Sequence, residues 1–122
     1  TSQEFGETSG LDLIPGKVIP ILENSDNKLI KIPYIGWAKL NITKKAKHQT
    51  SVLKNFSQNS YVYLVHSYHV QTKSNNDTIA TYDYDGISVT AAIEKDNVIG
   101  FQFHPEKSGE VGLEIINKFL SL

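Results

Sequence analysis

The dipeptide Asp85-Gly86, which lies between two runs of strand-like residues, constrains the fold of this chain more than any other feature. Ile79–Tyr84 and Ile87–Glu94 are rich in β-branched and aromatic residues, as strands are, and the second run alternates apolar with polar residues. Aspartate and glycine accept the positive φ angles that a two-residue hairpin turn requires. The sequence therefore predicts an antiparallel hairpin here. The face expected to join a core consists of alternate residues: Ile87, Val89, Ala91 and Ile93.

Other parts of the chain contain further runs that we predict to be strands. Lys17–Leu22 and Leu29–Ile32 flank a polar turn, which suggests a second hairpin. Tyr61–His66 is apolar at positions on both faces of the pleat, a pattern typical of a central strand that is covered on both sides. Val98–Phe103 follows another turn and is also expected to be buried. Most of the chain is therefore expected to form antiparallel strands.

One helix is predicted at the C-terminal end. Ser108 can serve as its N-cap, Glu110 lies where the helix dipole favours a carboxylate, and Lys118 lies in the last turns. Thr1–Glu7, at the other end of the chain, is expected to be frayed. A sheet closed by a single helix leaves a face or an edge uncovered, so we expect sequence outside these residues to cover it. The helix is expected to pack on the core through an apolar stripe: Leu113, Ile115, Ile116, Phe119 and Leu120.

Composition excludes several kinds of site. The chain has 122 residues, a formal net charge of −1 and no cysteine. Its length suits one domain, and its charge argues against a broad nucleic-acid surface. Lys44, Lys45 and Lys47, with His48, are expected to be a solvated loop. Without cysteine these residues contain no disulfide, no thiolate metal ligand and no cysteine nucleophile. The absence of a long apolar run predicts a soluble, intracellular protein.

The residues between Phe103 and the predicted helix are the strongest candidates for chemistry. His104, Pro105 and Glu106 follow directly where a strand is expected to end. Proline fixes one backbone dihedral, so the carboxylate can accept a hydrogen bond from one imidazole nitrogen and leave the other as a base. On spacing alone, a His-x-Glu pair that only caps a helix entrance is the more common explanation of these residues. A zinc deaminase site, which also uses His-x-Glu, would need the cysteines that are missing.

A histidine base needs a nucleophile, and these residues contain none of the usual arrangements. There is no cysteine, and no Gly-x-Ser-x-Gly sequence that would form a strand-to-helix elbow for a serine. The chain is therefore either one part of a catalytic unit or not catalytic.

Two other segments are candidates for binding. The strand end at His66 is followed by Ser67 and Tyr68, whose backbone groups can contact a small polar ligand. His66 and His69 are expected to point to opposite faces of a strand, which argues against shared metal ligation. Trp37 lies beside a glycine and close to a proline. It fits either core packing at a bend or an anchor for a partner protein.

With these residues in view, the chain resembles the C-terminal part of class I glutamine amidotransferase domains along nearly its whole length. The run that ends at Ser108 is highly specific for this class. Gly36-Trp37 and the residues around Ser67 point to the branch that serves histidine biosynthesis. Ala38 stands where asparagine is usual, which keeps open a paralogue that feeds another synthase, such as one that amidates a sugar. The resemblance is carried by these segments: Glu4–Glu7, Gly10-Leu11, Ile14–Gly16, Pro33–Trp37, Val65–Tyr68 and Gly100–Ser108.

The resemblance implies an α/β, flavodoxin-like fold, in which a mixed sheet carries antiparallel hairpins and a C-terminal helix. Residues 1–122 would be the C-terminal part of one amidotransferase domain. The family's nucleophilic cysteine would precede Thr1, so the chain alone is expected to lack glutaminase activity.

In this family a Cys-His-Glu triad hydrolyses glutamine, and the ammonia passes to a synthase subunit with a barrel fold. His104 matches the base of the triad, and Glu106 matches the residue that orients it. Glu4, Ser67 and Tyr68 match residues that bind glutamine.

The resemblance also implies a partner surface and leaves rival functions open. Trp37, Tyr68 and Lys107 match the side that meets the synthase subunit, and Lys107 could pair with a partner carboxylate. No cofactor or metal is implied, and neither nucleic acid nor membrane is an expected partner. The rivals are a non-catalytic scaffold domain and a relative that hydrolyses γ-glutamyl peptides without a synthase.

Overall fold

A computed structural model of the chain describes residues 1–23, 25–27, 29–49, 52–57 and 59–122. Two short 3₁₀ turns, Asn75–Asp77 and Pro105–Lys107, accompany the regular elements. The α/β class, with antiparallel hairpins and a C-terminal helix, is confirmed. The strands and helices of the described residues are β1 (Gly16–Pro20), β2 (Tyr34–Lys39), β3 (Asn41–Ile42), α1 (Lys44–Gln49), β4 (Tyr61–His66), β5 (Tyr68–Thr72), β6 (Thr78–Tyr84), β7 (Ile87–Lys95), β8 (Val98–Phe101) and α2 (Gly109–Leu120).

The predicted hairpin forms the centre of a four-stranded antiparallel sheet with the order β3-β6-β7-β8. Asp85 and Gly86 have φ angles of 49° and 86°, as this type of turn requires. The amide of Gly86 donates to the Asp83 carboxylate at 3.2 Å, and Tyr84 pairs with Ile87 at the base of the turn. The hairpin prediction is confirmed.

Two antiparallel ribbons complete the strand pairing. β1 pairs with β5, and β2 pairs with β4. The expectation that Thr1–Glu7 is frayed was wrong, because Ser2 forms a parallel bridge to Val18 and an antiparallel bridge to Thr8. Ser2 and Thr8 exchange two backbone hydrogen bonds of 2.8 Å. The N-terminal residues therefore lie against the edge of β1.

The hairpin expected from Lys17–Leu22 and Leu29–Ile32 was also wrong. The first run pairs with β5 instead, in a register that joins five residues of each strand. The second run forms no strand, and the amide of Leu29 donates to the side chain of Asn27 at 3.1 Å. Such a local hydrogen bond competes with strand pairing.

The core lies between β2, β4 and the four-stranded sheet, and its buried residues include Ala46 of α1 and Ile115 of α2. On β4, Val62 and Leu64 are fully buried, whereas Tyr61 and Val65 are exposed on the opposite face. The strand was predicted correctly, but the expectation that both of its faces are covered was wrong. The largest fully buried side chains are Tyr82, Leu40, Leu53, Leu64, Ile79 and Ile115.

Helix α2 begins after Ser108 as predicted, but it packs through a different face. Of the predicted stripe only Ile115 is buried, together with Gly112 one turn earlier, while Leu113 is 61% exposed. Phe119 and Leu120 are more than half exposed too. The expectation that the whole stripe is core was wrong, because within the described residues no second layer covers it.

The lysine-rich segment is a helix rather than the expected loop. The hydroxyl of Thr43 accepts a hydrogen bond from the amide of Ala46 at 3.2 Å, which caps the first turn of α1. Ala46 is fully buried, and the ammonium of Lys45 donates to the carbonyl of Asn76 at 3.1 Å. The buried alanine and the Thr43 cap stabilise this helix, and Lys44, Lys45 and His48 are exposed, as expected of a solvated segment. Neither described helix is long and apolar enough to cross a bilayer.

Candidate active site

His104 and Glu106 form the hydrogen bond that the sequence predicts. The Nδ1 atom of His104 lies 2.9 Å from Oε1 of Glu106. A carboxylate can only accept, so Nδ1 carries the proton, and Nε2 is the basic nitrogen of the neutral ring. The side chain of His104 is 40% exposed, and no described residue forms a hydrogen bond with Nε2. The pair can therefore act as a base held in one tautomer.

The backbone on either side of His104 is fixed by the end of the sheet. After β8, the amide of Gln102 donates to the carbonyl of Ala91 at 2.9 Å, and Phe103 is buried in the core. Pro105 then begins a 3₁₀ turn, which the amide of Lys107 closes by donating to the His104 carbonyl at 3.0 Å. We call residues 102–108 the His104 loop.

The loop is also bound to β4. The amide of His104 donates to the carbonyl of Tyr63 at 3.2 Å, and the amide of Tyr63 donates to the Ser108 hydroxyl at 3.0 Å. That hydroxyl donates to the His104 carbonyl at 2.6 Å. Ser108 stands at the N-cap position of α2, as predicted, but its side chain makes no capping bond. Sequence reasoning missed this role, because a serine before a helix signals a cap and nothing in the sequence separates the two uses.

The charges of the loop favour an ionised carboxylate. Glu106's own backbone amide, and then His104 and Lys107, hold the pKa of Glu106 below its usual value. Lys107 itself is exposed, and among the described residues no carboxylate lies within ion-pairing distance of its ammonium. Glu106 can therefore accept a hydrogen bond from the Nδ1–H group of His104 and stabilise a positive charge on that ring.

Ser67 and Tyr68 form the corner between β4 and β5. The Ser67 carbonyl accepts from the amide of Ile21 at 3.0 Å, and the Tyr68 carbonyl accepts from Nδ1 of His66 at 2.8 Å. Both carbonyls thus have protein partners, and their contact with a ligand stays a prediction. His66 contacts this corner directly, a role that sequence reasoning missed because no local signal marks the bond.

His66 is a buried, neutral histidine. Since Nδ1 donates to Tyr68, Nε2 accepts from the hydroxyl of Tyr82 at 2.7 Å. Burial lowers the pKa of His66, and the hydrogen bond to the Tyr68 carbonyl opposes this shift only in part. His69 is buried too, and its Nδ1 accepts from the amide of Thr90 at 3.1 Å. Burial, and then His66, lower the pKa of His69, while Glu23 opposes them.

Glu4 lies in an exposed turn at the same end of the ribbon β1–β5 as Ser67 and Tyr68. From the parallel bridge at Val18 the N-terminal residues run alongside β1 toward Pro20, which pairs with Tyr68. The Glu4 carboxylate is exposed, and its amide donates to the hydroxyl of Ser2 at 3.2 Å. The described contacts do not join this group to His104, whose loop binds β4 at Tyr63.

Trp37 is exposed rather than packed at a bend. It lies opposite Tyr63 in the ribbon β2–β4, with ring centroids 6.0 Å apart, and it is 53% exposed. In this segment it is Tyr34, which is half-buried, that packs against the core, with its ring on Tyr82 and Tyr84. The core-packing alternative for Trp37 is therefore wrong. Four exposed hydrophobic side chains, which we call the Trp37 face, share this side of the ribbon: Ile35, Trp37, Tyr61 and Val65.

The sequence is similar to a family model and to curated proteins. A family model described as glutamine amidotransferase class-I matches residues 2–121. Two similar curated proteins are each named imidazole glycerol phosphate synthase subunit HisH (numbered 1 in the first): one from Legionella pneumophila (strain Paris), 45% identical over 123 residues, and one from Methanothermobacter thermautotrophicus, 43% identical over 121 residues. Both alignments cover 99% of this chain, and they cover 58% and 55% of the relatives. The chain thus spans little more than half the length of these relatives.

A solved structure supports the fold. A putative GMP synthase subunit from Thermoplasma acidophilum superimposes with a TM-score of 0.61 at 16% sequence identity. The superposition covers 87% of this chain and 47% of that one. At this level of identity the similarity concerns the fold alone.

Proposed function

Because this chain belongs to the class I glutamine amidotransferase family, we propose that it is the C-terminal part of the glutaminase subunit of an imidazole glycerol phosphate synthase. The observation that carries the proposal is the 2.9 Å hydrogen bond between His104 and Glu106 at the end of the sheet. Residues 1–122 would be one part of a single domain. A cysteine outside them would supply the nucleophile, since they contain none.

In the proposed reaction, Nε2 of His104 takes the proton of the cysteine thiol as the sulfur attacks the side-chain amide carbon of glutamine. The same nitrogen then protonates the leaving nitrogen, so that ammonia departs and a thioester remains. Water next attacks the thioester while His104 accepts its proton, and the proton returns to the sulfur as glutamate is released. Throughout, Glu106 holds Nδ1 and stabilises the positive charge on the ring.

Glutamine is proposed to bind between Glu4 and the corner formed by Ser67 and Tyr68. The Glu4 carboxylate would accept hydrogen bonds from the α-ammonium group, since a carboxylate and an ammonium ion pair well. The shared end of the ribbon β1–β5 supports this arrangement, because it brings both groups to one edge.

A synthase subunit with a barrel fold is the proposed partner, in a cytoplasmic heterodimer that needs no cofactor for glutamine hydrolysis. Trp37, Tyr68 and Lys107 are the proposed contacts. Two observations support them: Trp37 is an exposed aromatic residue opposite Tyr63, which binds the His104 loop, and Lys107 presents an ammonium without a partner carboxylate among the described residues. Ammonia would then leave the site toward this partner.

A paralogue that serves another synthase is the alternative that Ala38 raised. Ala38 is buried, and it lies opposite Val62 in the core-facing side of the ribbon β2–β4. Its identity is therefore a matter of packing, and it does not favour a different acceptor of the ammonia.

The test uses a complete protein that contains this chain and its nucleophile, together with the synthase subunit. His104→Ala should lower ammonia release at least ~10²-fold, because a positioned base is lost. The matched control is His48→Ala, which removes an exposed histidine on α1 and should leave the rate unchanged. Full activity of the His104 variant would refute the proposed role.

A further inference from the structure

We infer that Ser108 is a positioning residue for His104, which it aims by tying the His104 loop to β4. This inference rests on the proposed function, since it assumes that His104 is the base. Ser108 does not touch the reacting atoms. We call its two hydrogen bonds, to the His104 carbonyl and from the Tyr63 amide, the Ser108 bridge.

The bridge and one backbone hydrogen bond together hold both backbone groups of His104. Its carbonyl accepts from the Ser108 hydroxyl at 2.6 Å, and its amide donates to the Tyr63 carbonyl at 3.2 Å. The Tyr63 amide completes the arrangement by donating to the same hydroxyl at 3.0 Å. Because both the amide and the carbonyl of His104 are held, the direction of its side chain relative to β4 is fixed.

Burial makes the bridge hard to replace. Ser108 is 2% exposed, so water has little access to its hydroxyl. If the hydroxyl were removed, the Tyr63 amide would lose its described partner. The His104 carbonyl would keep the bond from Lys107, so the turn would persist with one restraint fewer.

Gly112 holds the same loop from the other side. A Cβ at this position would lie 1.8 Å from the carbonyl oxygen of Pro105 and 3.0 Å from the Cβ of Ser108. Helix α2 therefore contacts the turn backbone to backbone, and the amide of Gly112 donates to the carbonyl of Ser108 at 3.1 Å. The His104 loop is therefore packed between β4 and α2, and the Ser108 side chain contacts both.

The main test replaces Ser108 in the complete protein with its synthase subunit. Ser108→Ala should lower kcat at least ~10-fold and change KM less than about 2-fold, because misaiming a base slows chemistry more than binding. Ser60→Ala is the matched control. Ser60 is 3% exposed and donates to a backbone carbonyl at 2.8 Å, but it lies outside the His104 loop. A similar fall in thermal midpoint is expected for both variants, and a loss of kcat only for Ser108→Ala.

A second pair of variants tests the inference even if Ser108→Ala does not fold. Ser108→Thr and Ser108→Val have nearly the same shape and differ in the hydroxyl. The threonine variant should retain at least ~10-fold more kcat than the valine variant. Equal kcat values in this pair, or equal losses in Ser108→Ala and Ser60→Ala, would overturn the inference.

His104→Ala, measured in parallel, separates this inference from the proposed function. If His104→Ala stays active, the proposed function itself is wrong. If His104→Ala is inactive while Ser108→Ala and Ser108→Val behave like the wild type, only the role of the Ser108 bridge is wrong.

Discussion

His66 and His104 are the same side chain in opposite situations. His66 is 9% exposed and uses both ring nitrogens inside the protein, with the Tyr68 carbonyl and the Tyr82 hydroxyl. His104 is only half-buried and uses one nitrogen, with Glu106. The comparison shows that the hydrogen-bond partners of an imidazole ring determine whether it can have a structural or a catalytic role. A ring bound on both sides contributes to stability, whereas one bound on a single side keeps a nitrogen for chemistry.

The largest effect that would sharpen this contrast is expected for His66→Ala. It removes two hydrogen bonds, so that the Tyr82 hydroxyl and the Tyr68 carbonyl lose their partner, and it creates a cavity. The free energy of unfolding of the complete protein should fall by about 3 kcal/mol. Denaturant titration measures it, and His48→Ala, at an exposed site, should stay within about 0.5 kcal/mol of the wild type. If His66→Ala left the free energy of unfolding unchanged, the contrast between the two histidines would be wrong.

The next effect concerns the other histidine. Glu106→Gln keeps the shape of the side chain but removes the charge that stabilises a protonated His104. Ammonia release should fall about 10-fold, or ~1.4 kcal/mol in barrier, with little change in unfolding. Glu110→Gln, at an exposed position one turn later, is the control. If both variants behaved alike, the pairing of Glu106 with His104 would have no catalytic role.

A smaller effect is expected for Tyr82→Phe. The ring stays in the core, but the hydroxyl that donates to Nε2 of His66 is lost. We expect the free energy of unfolding to fall by about 1 kcal/mol, and glutamine turnover to stay near that of the wild type. A large loss of activity with unchanged stability would contradict the division of labour between the two histidines.

The smallest effect is a pH dependence of stability. Burial lowers the pKa of His66, so the unfolded state takes up a proton at a higher pH than the native state does. Stability from this group is complete above the unfolded pKa of about 6.5 and falls as the pH decreases below it. His69 acts in the same direction. The free energy of unfolding, measured at several pH values between 7 and 5, should therefore depend less steeply on pH in His66→Ala than in the wild type. The same pH dependence in both proteins would contradict this assignment.

Local chemistry made part of the molecule predictable. The turn at Asp85-Gly86 and the bond between His104 and Glu106 depend on residues within a few positions of each other. Turn geometry and the rigidity of Pro105 determine them almost alone. Both predictions are confirmed as geometry, and the catalytic role of the pair stays a prediction.

Competition between distant partners made the rest unpredictable. Lys17–Leu22 had a nearby candidate partner, yet β1 pairs with β5 about fifty residues away. The Ser108 hydroxyl had a local capping site and instead bonds to β4, whose position a single sequence does not reveal. Likewise, the helical period of α2 shows which residues are apolar, but not which of them another layer covers.

The two backbone groups of Tyr63 have one more consequence, for self-association. In the ribbon β2–β4 they point away from β2, toward the edge of β4 that pairs with no strand among the described residues, and both are taken by the His104 loop. An open edge on so apolar a strand is a template for pairing with a second molecule. By occupying that edge, the loop that presents the histidine also blocks intermolecular strand addition at the middle of β4.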